Sequence, residues 1–157
     1  MIDRLRFRFE RGGEFTAALL PDLAPRTVEA IRALLPLEVT VTHSRWSGRE
    51  VNFAVHSPTP VPRERQTCTV NAGDVIYWKE WEMGEAAHEA LAVYYGAEVT
   101  RDHRGYLPVN VFARVPQDQW PEIERIGLRI WEKGFERLTV EGVEAGAKAG
   151  VEGNADG

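Results

Sequence analysis

The sequence predicts a mainly β domain, a closed antiparallel barrel capped by two helices. Three observations carry that expectation. Short runs of period-two alternation recur along the chain, punctuated by Gly- and Pro-rich turns. Helical periodicity occurs twice, once near each end. Gly73 to Gly96 holds two apolar, aromatic-rich runs, Val-Ile-Tyr-Trp and Ala-Leu-Ala-Val-Tyr-Tyr, separated by a polar insertion. They read as two buried neighbouring strands around which the rest of the chain wraps. The strands are too many and too close together for a parallel sheet with crossover helices. Closing an antiparallel sheet on itself removes its edges.

The elements follow in order. Arg4, Arg6 and Arg8 alternate with Leu5, Phe7 and Phe9, which predicts a half-buried strand with a solvated basic face. Arg11-Gly12-Gly13-Glu14 is a hairpin turn, and Phe15 to Leu20 is the second strand. Pro25 suits the first turn of a helix whose apolar stripe is Val28, Ile31, Leu34 and Leu35, and Pro36 ends it. Glu38 to Trp46 and Arg49 to His56 return to period two, joined by a two-residue Ser47-Gly48 loop. Ser57 to Arg65, with three of the nine prolines, predicts an exposed loop. Gln66 to Val70 is a short strand, Thr100 to Leu107 a polar loop, and Pro108 to Val115 a strand. A second helix starts between Asp118 and Pro121, buries Ile123, Ile126, Ile130 and Trp131, uses Gly127 for close packing, and ends at Gly134. Phe135 to Glu141 is a last strand. Residues 1–141 form one domain, and 142–157 read as a flexible Gly/Ala-rich tail.

Bulk properties exclude several classes. The 157 residues are 43% hydrophobic and 27% charged, as in ordinary globular domains. A net charge of −5 argues against a nucleic-acid partner, which a basic face would bind. No run approaches a membrane span, and the N-terminus lacks the apolar core of a signal peptide. Cys68 is alone, so no internal disulfide forms. The expected setting is cytoplasmic.

The order of elements resembles cyclophilin, in the helix entry Ala-Pro-Arg-Thr-Val-Glu-Ala-Ile-Arg-Ala-Leu and in Asn110 to Val115 before the second helix. The chain is still more similar to a family of small bacterial cyclophilin-like proteins of unknown function. It shares their His-x-Arg-Trp-Ser-Gly-x-Glu hairpin at His43 to Glu50, the Gly73-Asp74 strand start, the Tyr95-Gly96 strand end and the Pro108 to Ala113 segment. The resemblance covers residues 4–141. It implies a cyclophilin-like barrel. The match to the prolyl isomerase site is incomplete, because Arg45 stands two residues after His43, and Glu50 and Asn52 occupy the next strand.

The hairpin concentrates the candidate chemistry. His43, Arg45 and Glu50 are the candidate catalytic groups: Arg45 for a carboxylate, Glu50 or His43 as base. Against this stands a simpler reading, in which Arg45 or Arg49 pairs with Glu50 and holds the register. The candidate ligand-binding set is Arg45, Trp46, Glu50, Asn52, Trp78, Tyr95 and Asn110. Tyr94 and Tyr95 point to opposite faces of their strand, so at most one lines any cavity. The acidic insertion, with Glu80, Glu82, Glu85 and Glu89, reads as a solvated rim. Its single Glu85-x-x-His88 spacing falls short of a metal site, and no metal or cofactor is expected. The expected function is binding of a small or peptide-like ligand at one barrel mouth, anionic if Arg45 and Arg49 govern it. Three alternatives are a peptidyl-prolyl cis-trans isomerase, an enzyme acting on amide- or urea-like compounds, and a structural homo-oligomer. The last has the three N-terminal arginines as a possible subunit contact.

Overall fold

Alternating residues build the barrel wall. The computed structural model describes residues 1–146. Along the chain run β1 (Ile2–Phe9), β2 (Glu14–Leu19), α1 (Pro25–Leu34), β3 (Leu37–His43), β4 (Glu50–Val55), β5 (Thr69–Val70), β6 (Asp74–Lys79), β7 (Glu89–Tyr94), β8 (Glu98–Val99), β9 (Arg101–Asp102), β10 (Gly105–Tyr106), β11 (Asn110–Arg114), α2 (Trp120–Lys133) and β12 (Glu136–Glu144). Eight strands close antiparallel in the order β1-β12-β3-β4-β7-β6-β11-β2. Two small ribbons, β5–β8 and β9–β10, lie outside this ring.

The inward set of each strand is the apolar half of its alternation. Leu5, Phe7, Phe15, Ala17, Val41, Phe53, Val75, Tyr77, Leu91, Leu138 and Val140 fill the interior. Phe7 stacks on Phe15 with centroids 4.8 Å apart, across the register pair that joins β1 to β2. Val28 and Ile31 of α1, and Ile123, Ile126 and Ile130 of α2, join the same core. A second, smaller cluster forms on the outer side of the wall from Val70, Ile76, Ala92, Tyr94 and Val109. The β6–β7 pair therefore buries both faces, which accounts for its nearly unbroken apolar runs.

Several expectations change. The Ser47-Gly48 hairpin is not a two-residue loop. β3 stops at His43, a 3₁₀ turn spans Arg45–Ser47, and β4 starts at Glu50. The proline-rich loop is not fully exposed: Val61 is buried in the main core and accepts a hydrogen bond from the Trp81 indole at 3.0 Å. Glu89 is no rim residue. It is buried, taking the Tyr77 hydroxyl and the Ser57 amide, each at 2.7 Å, because it shares the inward face of β7 with Leu91 and Val93. The last strand runs to Glu144, since Ile2, Arg4 and Leu5 of β1 pair with residues 142–144. The rest of the expected tail, 147–157, lies outside the described residues.

Candidate functional site

A hollow opens on the outer face of the wall where β4, β7 and β6 run side by side. Register explains it. Asn52 lies opposite Ala92, and Ala92 opposite Ile76; Glu50 lies opposite Tyr94, and Ala90 opposite Trp78. All of these point outward, because Val51, Phe53, Leu91, Val93, Val75 and Tyr77 take the inward positions. The two alanines leave the middle of the floor low, while Trp78 and Tyr94 stand up beside it. Leu107, Val109, Thr100, Arg101 and Asp102 roof the hollow, and the 44–47 turn closes one end. The resulting cavity has a volume of about 180 Å³.

Its closed end is polar. Glu50 is buried at 6% exposure. Its carboxyl accepts a hydrogen bond from Ser47 Oγ and a longer one, 3.4 Å, from Asn52 Nδ2. Asn52 also donates to Ser44 Oγ at 2.5 Å. Burial raises the Glu50 pKa from its ordinary value, and the donors Ser47, Tyr94 and Asn52 oppose that rise. Desolvation, with the Glu50 charge adding to it, pushes the Tyr94 phenol up in turn. The Trp78 Nε1–H is buried and has no acceptor among the described residues. Asp102 does not add free charge, since Arg104 holds it at 2.5 and 2.9 Å and keeps its carboxyl below the usual range. The arrangement offers an apolar slot with aromatic walls, one buried carboxyl able to accept or donate, and one unused indole donor.

A second cavity, about 420 Å³, lies at the barrel mouth under α2. His43, Arg45, Arg49, Tyr95 and Trp131 line it. His43 Nε2 and the Tyr95 hydroxyl share a hydrogen bond of 2.6 Å. Burial first, then Arg45, lowers the His43 pKa. The two cavities share Arg101 and are separated by the 44–48 turn.

A profile of the family described as "Protein of unknown function (DUF3830)" matches residues 9–141. The chain belongs to the DUF3830 family. No functionally curated protein matches it. Solved structures that share the fold include McbB and AF2241. McbB, determined in complex with tryptophan, aligns with a TM-score of 0.69 at 18% identity, over 94% of this chain and 46% of McbB. The chain thus spans about half the length of McbB. The hypothetical protein AF2241 from Archaeoglobus fulgidus aligns with a TM-score of 0.58 at 28% identity, over 89% of this chain and 94% of that one.

In this DUF3830 barrel the sequence-predicted residues divide into three places. Trp46, Glu50, Asn52 and Trp78 line the outer hollow. His43, Arg45 and Tyr95 line the mouth. Asn110 lines neither; it is fully buried and uses both ends of its amide. Its oxygen accepts from the Glu64 amide and Gln66 Nε2, and its nitrogen donates to Thr27 Oγ1 and the Pro62 carbonyl, at 2.9–3.1 Å. That is the full capacity of the side chain, spent on pinning the proline-rich loop to α1. The simpler reading of the hairpin does not hold either. Arg49 pairs with Glu98 at 2.7 Å, and Arg45 lies 3.6 Å above the Trp131 ring, so neither meets Glu50.

The alternation argument for Tyr94 and Tyr95 holds, but each face has its own cavity, so both tyrosines line one. Ala90, Ala92, Tyr94, Arg101 and Asp102 were not among the candidates. The signal for the floor was present in Ala90-Leu91-Ala92-Val93, small residues alternating with large. Arg101 and Asp102 reach the hollow from the short β9–β10 ribbon, whose sequence carries no such signal. Glu85 and His88 are exposed, and no cluster of three metal-ligating side chains occurs among the described residues. No helix among them is long and apolar enough to cross a membrane.

Proposed function

We propose that the protein binds a small organic molecule of one or two rings in the outer hollow. The carrying observation is the half-open apolar slot ending in a buried carboxyl, the usual pattern of an apolar site with a few convergent polar groups. An apolar cavity of about 150 Å³ accepts benzene, so the present volume suits a ring system with a small polar substituent. The ring would lie on Ala90 and Ala92 between Trp78 and Tyr94, with its polar edge toward Glu50 and Asn52. McbB was determined with tryptophan, and that makes indoles a reasonable first series. The element order supports a cyclophilin-like version of the barrel, and a single cysteine suits a reducing, cytoplasmic setting.

Amide nitrogen–proton NMR during titration with indole and indole-3-carboxamide tests the reading. Saturable shifts are expected at the Trp78 indole and at the Ala90 and Ala92 amides. Ala92→Leu fills the floor and should weaken binding about tenfold or more with the fold retained. Equal binding by that variant would remove the hollow from consideration.

A second reading keeps the same site and adds catalysis on amide- or urea-like compounds. Glu50 favours it, because a carboxyl whose pKa burial raises, placed at a cavity, is the kind of group that serves as general acid or base. Turnover that follows the ionisation of Glu50 and disappears in Glu50→Gln supports this reading. Binding without turnover leaves the first.

A further inference from the structure

We propose that the barrel mouth under α2 is a second, separate site, one for a small organic carboxylate gripped by Arg45 against Trp131. The cavity falls within the range typical of small-molecule sites. Its cationic groups differ in commitment. Arg49 is spent on Glu98 at 2.7 Å and on the Ala97 carbonyl at 2.8 Å. The Arg45 guanidinium has no ion pair or hydrogen bond among the described residues; its central carbon lies over the Trp131 ring, 3.6 Å from the centroid. Stacking occupies the guanidinium face and leaves its N–H edge free, the edge that meets a carboxylate in two parallel hydrogen bonds. Arg101 at the same mouth uses only its Nε, on the Trp46 carbonyl at 3.0 Å. With Glu98 neutralised by Arg49, Arg45 and Arg101 face one remaining carboxylate, Glu124. The surplus is positive.

The depth of the cavity is built in. A Cβ at Gly127 would sit 2.4 Å from the Tyr95 ring, and one at Gly96 would sit 2.4 Å from the Arg49 guanidinium. Neither glycine has a positive φ, so backbone conformation does not require it. In mid-helix, glycine is less favourable than alanine. What Gly127 makes possible is the seating of Tyr95, whose hydroxyl holds His43 Nε2 at 2.6 Å. His43 Nδ1 is buried there without a partner among the described residues. Burial first, then Arg45, lowers the pKa of the imidazole, which disfavours a second positive charge beside Arg45. Leu128 and Trp131 remain partly exposed along the rim, at 45% and 38%. They would cover the apolar body of the ligand while Arg45 takes its head.

Benzoate, benzamide and inorganic phosphate titrated into the full chain, read by amide shifts and the Trp131 indole N–H shift, test the site. Benzoate is expected to shift Gly48, Tyr95 and Leu128 saturably, with benzamide and phosphate each at least about tenfold weaker. Arg45→Gln should weaken benzoate binding about tenfold, and Arg45→Lys should restore only part of it. Ala92→Leu, which blocks the outer hollow, should leave benzoate binding intact, separating this site from the one above. Benzamide or phosphate binding as well as benzoate, or unchanged affinity in Arg45→Gln, would overturn the proposal. So would benzoate shifts confined to Trp78, Ala90 and Ala92.

Discussion

Glu50 sets a pH dependence that can be read without any ligand. Its folded-state pKa is raised above the ordinary 4.5 by burial, so the folded protein holds this proton at pH values where the unfolded chain has released it. Stability from this group is therefore fully present below the ordinary carboxylate value and is lost as pH rises through the raised one. His43 acts in the opposite sense. Its folded pKa is lowered from 6.5, so acidification below that value favours the unfolded chain, which binds the proton more readily. Urea unfolding at pH 5 and pH 8 separates the two. Glu50→Gln should gain stability relative to the native protein at the higher pH and show a flatter dependence between them. A native-minus-variant difference that does not change with pH would show that Glu50 titrates normally.

At the scale of an element, α1 shows how a helix is finished by a distant part of the chain. Its N-cap, Ala24, offers no side-chain cap, and no acidic residue lies in its first turn. The orphan donors are met by Glu64, which accepts from the Arg26 and Thr27 amides at 2.9 Å and from Thr27 Oγ1 at 2.7 Å. A carboxylate there also suits the positive end of the helix. Asn110 holds Glu64 in place through the Glu64 amide. Glu64→Ala should cost about 1–2 kcal/mol, the usual range for losing a cap, and should expose the amides of residues 26–28 to faster hydrogen exchange. Unchanged exchange there would mean that the carboxylate contributes little. Local sequence could place the helix by its apolar stripe and its prolines. It could not name the cap, which lies in a loop that reads only as proline-rich.

At the scale of the whole molecule, closure depends on the last strand. β12 pairs with β1 along one edge and with β3 along the other, so it is the stave that turns seven strands into a ring. It buries Leu138 and Val140 in the core, and Glu136 accepts from Arg129 at 2.9 and 3.1 Å and from the Arg11 amide at 2.8 Å. Without it, β1 and β3 become open edges beside exposed core. A chain ending at Gly134 is therefore expected to show no cooperative melt by circular dichroism. A melt within a few degrees of the full chain would disprove the dependence. β12 is also where the sequence was least informative, since Phe135 to Glu141 marks a strand but not its partners.

By itself the sequence determined the barrel class, the two helices and the inward half of most strands, because period-two and period-3.6 burial are local properties that composition cannot disguise. It also determined that Tyr94 and Tyr95 part company. What only the tertiary structure decided was the grouping of the polar residues. The His43–Asn52 segment looked like one cluster, yet the 3₁₀ turn at Arg45–Ser47 sends Glu50 and Asn52 to the outer hollow and His43 and Arg45 to the mouth. The physical reason is that alternation assigns a side chain to a face, while a site is made by whatever other elements cover that face. Here these are the 100–109 segment over the outer wall and α2 over the mouth, both brought in from far along the chain.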